Sequence, residues 1–261
     1  MSSKGDSKVQ AGLRDEMIKK GTNVYNTIYT RKIRPVLNKD SSLLDIGCGT
    51  GHVIQQLALY EHSLIVGLDI SSAMLEKART NTAHLQVILV EGDGLNLPFH
   101  DCTFDVVITR LADYAVKEVY RILKKGGYFF EYGLGPEADK EIAEFFPDRI
   151  DEEAFFFPKT NKWKEEVMKD LKETGFAING INDYKEIDYY QNEQELMDLI
   201  EMVPLVKNFD REKDRKTIDE LARKYKSENG IEITWHYYVL EAQIPFRNQP
   251  SSCEKILLPC L

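Results

Sequence analysis

The run Leu43-Leu-Asp-Ile-Gly-Cys-Gly-Thr-Gly51 decides how this 261-residue chain is interpreted. An apolar stretch typical of a buried strand changes there into three alternate glycines, Gly47, Gly49 and Gly51. Glycine lacks a Cβ atom, so these positions permit a tight turn and the close approach of a ligand and of the following helix. The run therefore predicts a strand, a nucleoside-binding turn and a helix.

The spacing of the glycines distinguishes two kinds of nucleoside site. A dinucleotide site requires Gly-x-Gly-x-x-Gly, which needs a glycine at the position where this chain has His52. Asp45 also stands just before the first glycine, and a carboxylate there favours a cationic amino-acid group over a diphosphate. A tight connection that binds no ligand is the alternative interpretation of the run taken alone.

Two further acidic residues follow predicted strands. The second strand ends in Asp69, where a carboxylate can accept both ribose hydroxyls of an adenosine. The third strand leads to Asp93, whose carboxylate can accept the exocyclic amine of adenine. Ser71 or Ser72 would cap the next helix. Each acid also has a simpler interpretation, because Asp69 can cap the helix that starts near Ser72, and Asp93 can form a turn with Gly94.

Two more strands complete the pattern. Residues 103–110 predict a fourth strand, and residues 121–131 predict a helix end, a glycine turn and a fifth strand. These matches, in this order, resemble the class I S-adenosylmethionine-dependent methyltransferases, in particular the type 11 and quinone-biosynthesis-like group. The resemblance is specific over residues 41–133 and looser over residues 160–242. It implies S-adenosylmethionine as the cofactor and S-adenosylhomocysteine as its product.

The loops that follow the first strands are expected to surround the cofactor, because ligands in open α/β sheets bind at the carboxyl ends of the strands. Arg31 would pair with the methionine carboxylate if the N-terminal helix folds over the site, and a solvated surface arginine is the alternative. The candidate cofactor-binding residues are Asp45, Gly47, Cys48, Gly49, Gly51, Asp69, Ile70, Met74, Asp93, Gly94, Arg110 and Arg31.

The order of the predicted elements indicates an α/β protein with helices on both faces of a parallel sheet. The resemblance implies a Rossmann-like, seven-stranded, mostly parallel sheet whose last strand is antiparallel. Two amphipathic segments, 193–202 and 211–226, lie where this fold needs only a short connection, so they predict a helical cap between the last two strands. The predicted units are an N-terminal helical arm over 1–40, a methyltransferase domain over 41–187 with 230–245, a cap insertion over 188–229 and a C-terminal tail over 246–261.

Methyl transfer from a sulfonium disperses positive charge, so an enzyme of this kind chiefly aligns the nucleophile, the methyl group and the sulfur and excludes water. A general base is needed only where the acceptor must lose a proton. The weak candidates for that base are His236, Tyr132, Tyr114 and Tyr25, and packing is the more frequent role for such residues. Residues 110–119, between the fourth strand and its helix, are a shorter segment than the family usually has at this place. The resemblance therefore assigns no catalytic residue.

Composition predicts a cytoplasmic protein. No apolar run approaches the ~20 residues that a membrane helix needs, and the first residues contain no stretch of signal-peptide type. The four cysteines show neither paired nor metal-ligand spacing, which predicts free thiols and no metal site.

The formal net charge of −9 argues against a surface built for broad contact with nucleic acid. Residues 1–40 nevertheless carry nine Lys or Arg against four acidic residues. This basic arm can contact RNA or pack on the acidic remainder of the chain, and the packing interpretation is favoured.

The sequence therefore predicts a methyltransferase that transfers a methyl group from S-adenosylmethionine to a small-molecule acceptor by in-line displacement. The first alternative is an RNA base methyltransferase, because residues 195–205 are similar to a segment of some ribosomal-RNA guanine methyltransferases. The alternative from another class is a non-catalytic S-adenosylmethionine sensor or scaffold that uses its cap as an interaction surface.

Overall fold

The computed structural model describes residues 23–58, 64–150, 161–202 and 205–246. The described strands are β1 Ser42–Ile46, β2 Leu64–Asp69, β3 Ile88–Glu91, β4 Phe104–Arg110, β5 Leu123–Leu134, β6 Ala177–Tyr190, β7 Lys226–Ser227 and β8 Gly230–Gln243. The described helices are α1 Asn23–Ile33, α2 His52–Leu57, α3 Ser72–Asn81, α4 Val116–Ile122, α5 Lys140–Phe145, α6 Lys162–Thr174, α7 Glu193–Met202 and α8 Arg215–Lys224, with a 3-10 turn at Arg34–Val36.

These strands form one mixed sheet in the order β3-β2-β1-β4-β5-β8-β6, and β7 pairs with β8. Strands β1 to β5 are parallel, whereas β8 lies antiparallel between β5 and β6. The predicted Rossmann-like, mostly parallel sheet with helices around it and an antiparallel last strand is confirmed. The expected count of seven strands omitted β7, which has only two residues and no hydrophobic pattern of its own.

The sheet separates two hydrophobic cores. Tyr29 and Ile33 of α1 pack with residues of α2 and α3 on one face, and Val119 of α4 and Leu171 of α6 pack on the other face. The Tyr29 hydroxyl is buried and donates to the carbonyl oxygens of Thr109 (2.8 Å) and Phe130 (3.1 Å). Burial of each such side chain contributes about 1.5–3 kcal/mol, so α1 is an integral layer of the fold.

A third core lies between the two cap helices, α7 and α8, and the first half of β8. Leu199 of α7, Leu221 of α8 and Ile233 of β8 are buried together with residues of α5. Helix α8 begins at Arg215 and not at residue 211 as the periodicity predicted. Residues 211–214 form a turn instead, in which the Asp210 carboxylate accepts the Glu212 and Lys213 N–H groups and the Asp214 carboxylate accepts the Asp210 N–H (2.9 Å).

The expectation of free thiols was wrong for Cys102, which is disulfide-bonded. Cys48 is free and buried, in agreement with that expectation. Disulfides join residues that are distant along the chain, so spacing alone carries no signal for Cys102 in a chain of this length.

Candidate functional site

The turn between β1 and α2 requires its glycines. Gly47, Gly49 and Gly51 have φ values of 70°, 53° and 85°, in the left-handed region that other residues avoid. The Gly47 and Cys48 backbone N–H groups donate to the Leu68 carbonyl oxygen over 2.7 and 3.0 Å, which fixes the turn against the end of β2.

The three glycines differ in the space around them. A Cβ atom on Gly47 would lie 2.1 Å from the Ala112 Cβ atom, and one on Gly51 would lie 3.0 Å from the Thr82 side chain. A Cβ atom on Gly49 would meet nothing within 4 Å. Close packing therefore explains the glycines at 47 and 51, whereas Gly49 borders open space.

Asp69 lies at the end of β2 and connects the glycine turn to α3. Its Oδ2 atom accepts the Gly49 N–H (2.8 Å), and its Oδ1 atom accepts the Ser71 N–H (2.8 Å). Ser71 is the N-cap of α3, and its hydroxyl oxygen accepts the Met74 N–H (3.3 Å). Each carboxylate oxygen has two acceptor positions, so Asp69 can still accept hydroxyl donors from a ligand.

Ile70 and Met74 lie just beyond this contact. Ile70 is half-buried between β2 and the N-cap of α3, and Met74 is buried in the first turn of that helix.

Asp93 lies in a turn, as the simpler interpretation of the sequence predicted. Its Oδ1 atom accepts the Leu95 N–H over 2.9 Å, and its side chain is exposed. A Cβ atom on the neighbouring Gly94 would lie 2.2 Å from the Asp113 carbonyl oxygen. The turn after β3 is therefore in contact with the segment that follows β4.

Two buried polar atoms beside the glycine turn have no hydrogen-bond partner among the described residues: Asp45 Oδ2 and Arg110 Nε. The pKa of the Asp45 carboxyl is raised to about 8, chiefly by burial and also by the negative charge of Asp69, while the positive charge of Arg110 acts in the opposite direction. The Arg110 guanidinium lies 5.1 Å from the centre of the Tyr132 ring.

A row of aromatic side chains extends from Tyr132 across the next two strands. Tyr132 stacks on Tyr237 with ring centres 4.7 Å apart, and Tyr237 stacks on Tyr184 at 5.1 Å. The Trp235 indole N–H donates to the Tyr132 hydroxyl over 2.6 Å. We refer to Tyr132, Tyr237, Tyr184 and Trp235 as the aromatic row, which lies on the same face of the sheet as α1.

The structure constrains the candidate general bases. The His236 Nδ1 atom accepts the Glu137 backbone N–H (3.1 Å), so a neutral ring carries its proton on Nε2. Burial and the neighbouring Lys185 charge lower the pKa of His236, which keeps the ring neutral at pH 7. Burial raises the pKa of the Tyr132 phenol. The side chain of Tyr25 lies outside the described residues, and Arg31 is exposed on α1.

Sequence analysis did not single out Glu131, a buried residue near the C-terminal end of β5. Its two carboxylate oxygens accept the hydroxyls of Tyr238 and Tyr114, each over 2.8 Å. Burial raises the pKa of Glu131 to about 7, and these hydrogen bonds act in the opposite direction. The available signal was a glutamate within the otherwise apolar and aromatic run Tyr128–Tyr132.

Two negative findings apply to the described residues. They contain no group of three or more His, Cys, Asp or Glu side chains that could hold a metal ion. Within the same residues, every helix is too short or too polar to cross a membrane.

Comparison with known proteins shows similarity to methyltransferases. Residues 43–127 match a family model described as a methyltransferase domain. The demethylmenaquinone methyltransferase of Staphylococcus haemolyticus is 41% identical over 97 residues, which are 33% of this chain and 41% of that protein. The chain thus spans less than half of the length of this curated relative.

Solved structures share the fold. A candidate methyltransferase from Bacillus halodurans has a TM-score of 0.60 at 23% identity, over 83% of this chain and 98% of that one. The cyclase SpnF has a TM-score of 0.55 at 18% identity, over 84% and 81% of the two chains. Because one of these neighbours is a cyclase, the fold alone does not decide the reaction.

Proposed function

We propose that the protein transfers a methyl group from S-adenosylmethionine to a small-molecule acceptor, because residues 43–127 match a family model described as a methyltransferase domain. The observation that carries this proposal is the open space at Gly49 beside the buried carboxylates of Asp69 and Asp45. When bound, S-adenosylmethionine supplies a methyl group on a positively charged sulfur, which a nucleophile can displace.

The chemistry of the residues around the glycine turn fits this cofactor. Asp69 would accept the ribose hydroxyls, and Asp93 would accept the amine of adenine. The approach of the nucleoside to the backbone is possible at Gly49 because no side chain occupies that space.

The two partnerless atoms fit the zwitterionic end of the same cofactor. An uncompensated buried polar atom is costly, and an incoming group of opposite charge removes that cost. The Asp45 carboxylate suits an ammonium group, and the Arg110 guanidinium suits a carboxylate. This assignment gives both atoms a partner and leaves the exposed Arg31 without a required role.

The aromatic row supports an aromatic, quinone-related small molecule as the acceptor. It lies next to Arg110 on the face of the sheet that α1 covers. Tyr132 and Tyr237 are buried, whereas Tyr184 and Trp235 are only partly buried, and their rings can contact a planar ligand. The curated relative is named as an enzyme that methylates demethylmenaquinone. The net charge of −9 disfavours an RNA acceptor.

The rate acceleration would come mainly from alignment and exclusion of water. The ring nitrogen of His236 that is free of a proton already accepts a hydrogen bond from the backbone, and the Tyr132 phenol is hard to ionise. Neither group is prepared to remove a proton at neutral pH. An acceptor that ionises readily by itself fits this arrangement.

The test is calorimetric binding of S-adenosylmethionine and S-adenosylhomocysteine to the purified protein, with Asp69→Asn as the variant. The wild-type protein is expected to bind both ligands with micromolar dissociation constants. Loss of a charge-assisted hydrogen bond should weaken binding about tenfold or more in the variant. Circular dichroism of the variant controls for the contacts that Asp69 makes with Gly49 and Ser71.

Methyl transfer is then measured with labelled cofactor and fractionated cell extract. Label in the small-molecule fraction would support the proposed acceptor class. Label in RNA would instead favour an RNA base methyltransferase. Binding of the cofactor without methyl transfer to any fraction would favour a non-catalytic S-adenosylmethionine sensor or scaffold. A folded wild-type protein that binds neither ligand would overturn the proposed function.

A further inference from the structure

We propose that Glu131 is a positioning residue for cofactor binding: it holds the segment Leu111–Ala115 against the glycine turn through the Tyr114 hydroxyl. We call this segment the β4–α4 loop. The proposal rests on the proposed function, because it concerns the affinity of the same cofactor site.

The β4–α4 loop contacts both turns between which the nucleoside is proposed to bind. On one side, Ala112 packs on Gly47 so closely that a Cβ atom there would lie 2.1 Å from the Ala112 Cβ atom. On the other side, the Ala115 N–H donates to the Gly94 carbonyl oxygen over 3.3 Å. A shift of this loop would therefore change the packing of both turns at the proposed cofactor site.

The backbone of the β4–α4 loop is not held by regular secondary structure. Leu111 has a φ of 55°, in the left-handed region that is unfavourable for a leucine. One backbone hydrogen bond, from the Leu111 N–H to the Tyr132 carbonyl oxygen (3.1 Å), fixes its start. A conformation of this kind persists only when surrounding contacts maintain it.

Tyr114 provides that contact at the centre of the segment. Its hydroxyl donates to Glu131 Oε2 over 2.8 Å, and its ring lies 5.2 Å from that of Phe129. Glu131 is only 2% exposed and lies in β5, which is paired on both sides. The Glu131 carboxylate, held in a central strand, thus gives a fixed hydrogen-bond acceptor to a segment that has no regular secondary structure of its own.

The second partner of Glu131 provides a matched control. The Tyr238 hydroxyl donates to Oε1 of the same carboxylate over the same 2.8 Å, but Tyr238 belongs to β8 and not to the loop. Tyr114→Phe and Tyr238→Phe each remove one hydroxyl from one buried carboxylate. Their costs in stability should be similar, so a difference in cofactor affinity reports on the loop.

The experiment measures S-adenosylhomocysteine binding by calorimetry and melting temperatures for wild type, Tyr114→Phe and Tyr238→Phe. We expect about tenfold weaker binding in Tyr114→Phe and less than a twofold change in Tyr238→Phe, with similar melting temperatures for the two variants. Amide hydrogen exchange of residues 111–115 should become faster in Tyr114→Phe alone. Glu131→Gln, which keeps an acceptor oxygen and a polar partner for both tyrosines, should retain more affinity than Glu131→Leu.

Equal affinities in the two tyrosine variants would overturn this proposal and leave the proposed function intact. The same conclusion would follow if Glu131→Leu and Glu131→Gln bound equally well. A wild-type protein that does not bind S-adenosylhomocysteine would overturn the proposed function and this proposal with it.

Discussion

At the residue scale, the most informative groups are buried polar atoms that have no hydrogen-bond partner among the described residues. Asp45 is 2% exposed, and its Oδ2 atom has no hydrogen-bond partner in the described part of the chain. Such an atom does not stabilise the folded state, because burying a carboxylate without a partner costs free energy. We therefore interpret it as one half of an interaction that a ligand completes.

The pKa of Asp45 makes this interpretation testable. Burial raises the pKa to about 8, so the carboxyl is mainly protonated at pH 7. A ligand ammonium group favours the ionised form, so binding should release a proton and affinity should rise about tenfold from pH 6.5 to 8.5. Calorimetry of S-adenosylhomocysteine in buffers of different ionisation enthalpy measures the release. Asp45→Asn should abolish the pH dependence, and the exposed Asp40→Asn should retain it.

Gly49 provides a second prediction at this scale. Gly49→Ala places a methyl group in open space at a φ of 53°, so we expect a loss of stability of about 1 kcal/mol and at least tenfold weaker cofactor binding. Gly180→Ala is the matched control, because a Cβ atom there also meets nothing within 4 Å and Gly180 lies in β6. Comparable affinity losses in both variants would contradict a specific role of Gly49.

At the scale of elements, Arg149 connects the cap to the segment after α5. Its guanidinium forms a bidentate ion pair with Asp214 at 2.6 and 3.0 Å and also donates to the carbonyl oxygens of Lys207 and Asn208. One side chain thereby fixes the loop between the two cap helices. Each terminal nitrogen of the guanidinium contacts one carboxylate oxygen, and such a bidentate pair is stronger than a single contact.

Arg149→Ala should loosen the cap without disturbing the sheet. We expect a loss of about 1–3 kcal/mol, because the buried Asp214 keeps its charge and loses its partner. Hydrogen exchange should become faster in α8 and remain unchanged in β1 and β4. Arg215→Ala, which removes an exposed pair with Asp219, is the control and should change stability by about 0.5 kcal/mol or less. Unchanged exchange in α8 would show that the cap does not depend on this contact.

The sequence allowed most of these elements to be predicted, because strands in this sheet are short apolar runs that end at glycines or acids. The prediction was weakest where tertiary contacts decide the outcome. The turn before α8 is held by the carboxylates of Asp210 and Asp214, and the pairing of β7 depends on β8. Likewise, the glycine turn was visible in the sequence, but the Glu131 cluster was not, since its three members are distant along the chain.

At the scale of the whole molecule, the described residues include three buried carboxyl groups and one half-buried carboxyl group, Asp188, with raised pKa values. Burial is the first cause in each case, and the values are about 8 for Asp45 and about 7 for Glu131, Asp139 and Asp188. Because the unfolded chain ionises these groups at lower pH, the folded state binds more protons at neutral pH. Stability contributed by the protonated forms is therefore lost as pH rises from about 4, where carboxyls of the unfolded chain ionise, to the folded pKa values of about 7 and 8.

The free energy of unfolding should fall by about 4 kcal/mol between pH 6.5 and 8.5 in the absence of ligand. The lowered pKa of His236 acts in the opposite direction, but only below its unfolded value of 6.5. Urea titrations at three pH values measure the trend, and Asp139→Asn should make it shallower, whereas the exposed Asp219→Asn should not. Stability that rises over this pH range would contradict the burial of these carboxyl groups.

The position of β8 has a consequence for biosynthesis. This strand is the last one along the described chain, yet it fills the place between β5 and β6. A ribosome that adds about 5–20 residues per second needs roughly 5–20 s to proceed from the end of β5 to the end of β8. During that interval the nascent chain presents unpaired strand edges, so chaperone protection is needed most while the cap is being synthesised.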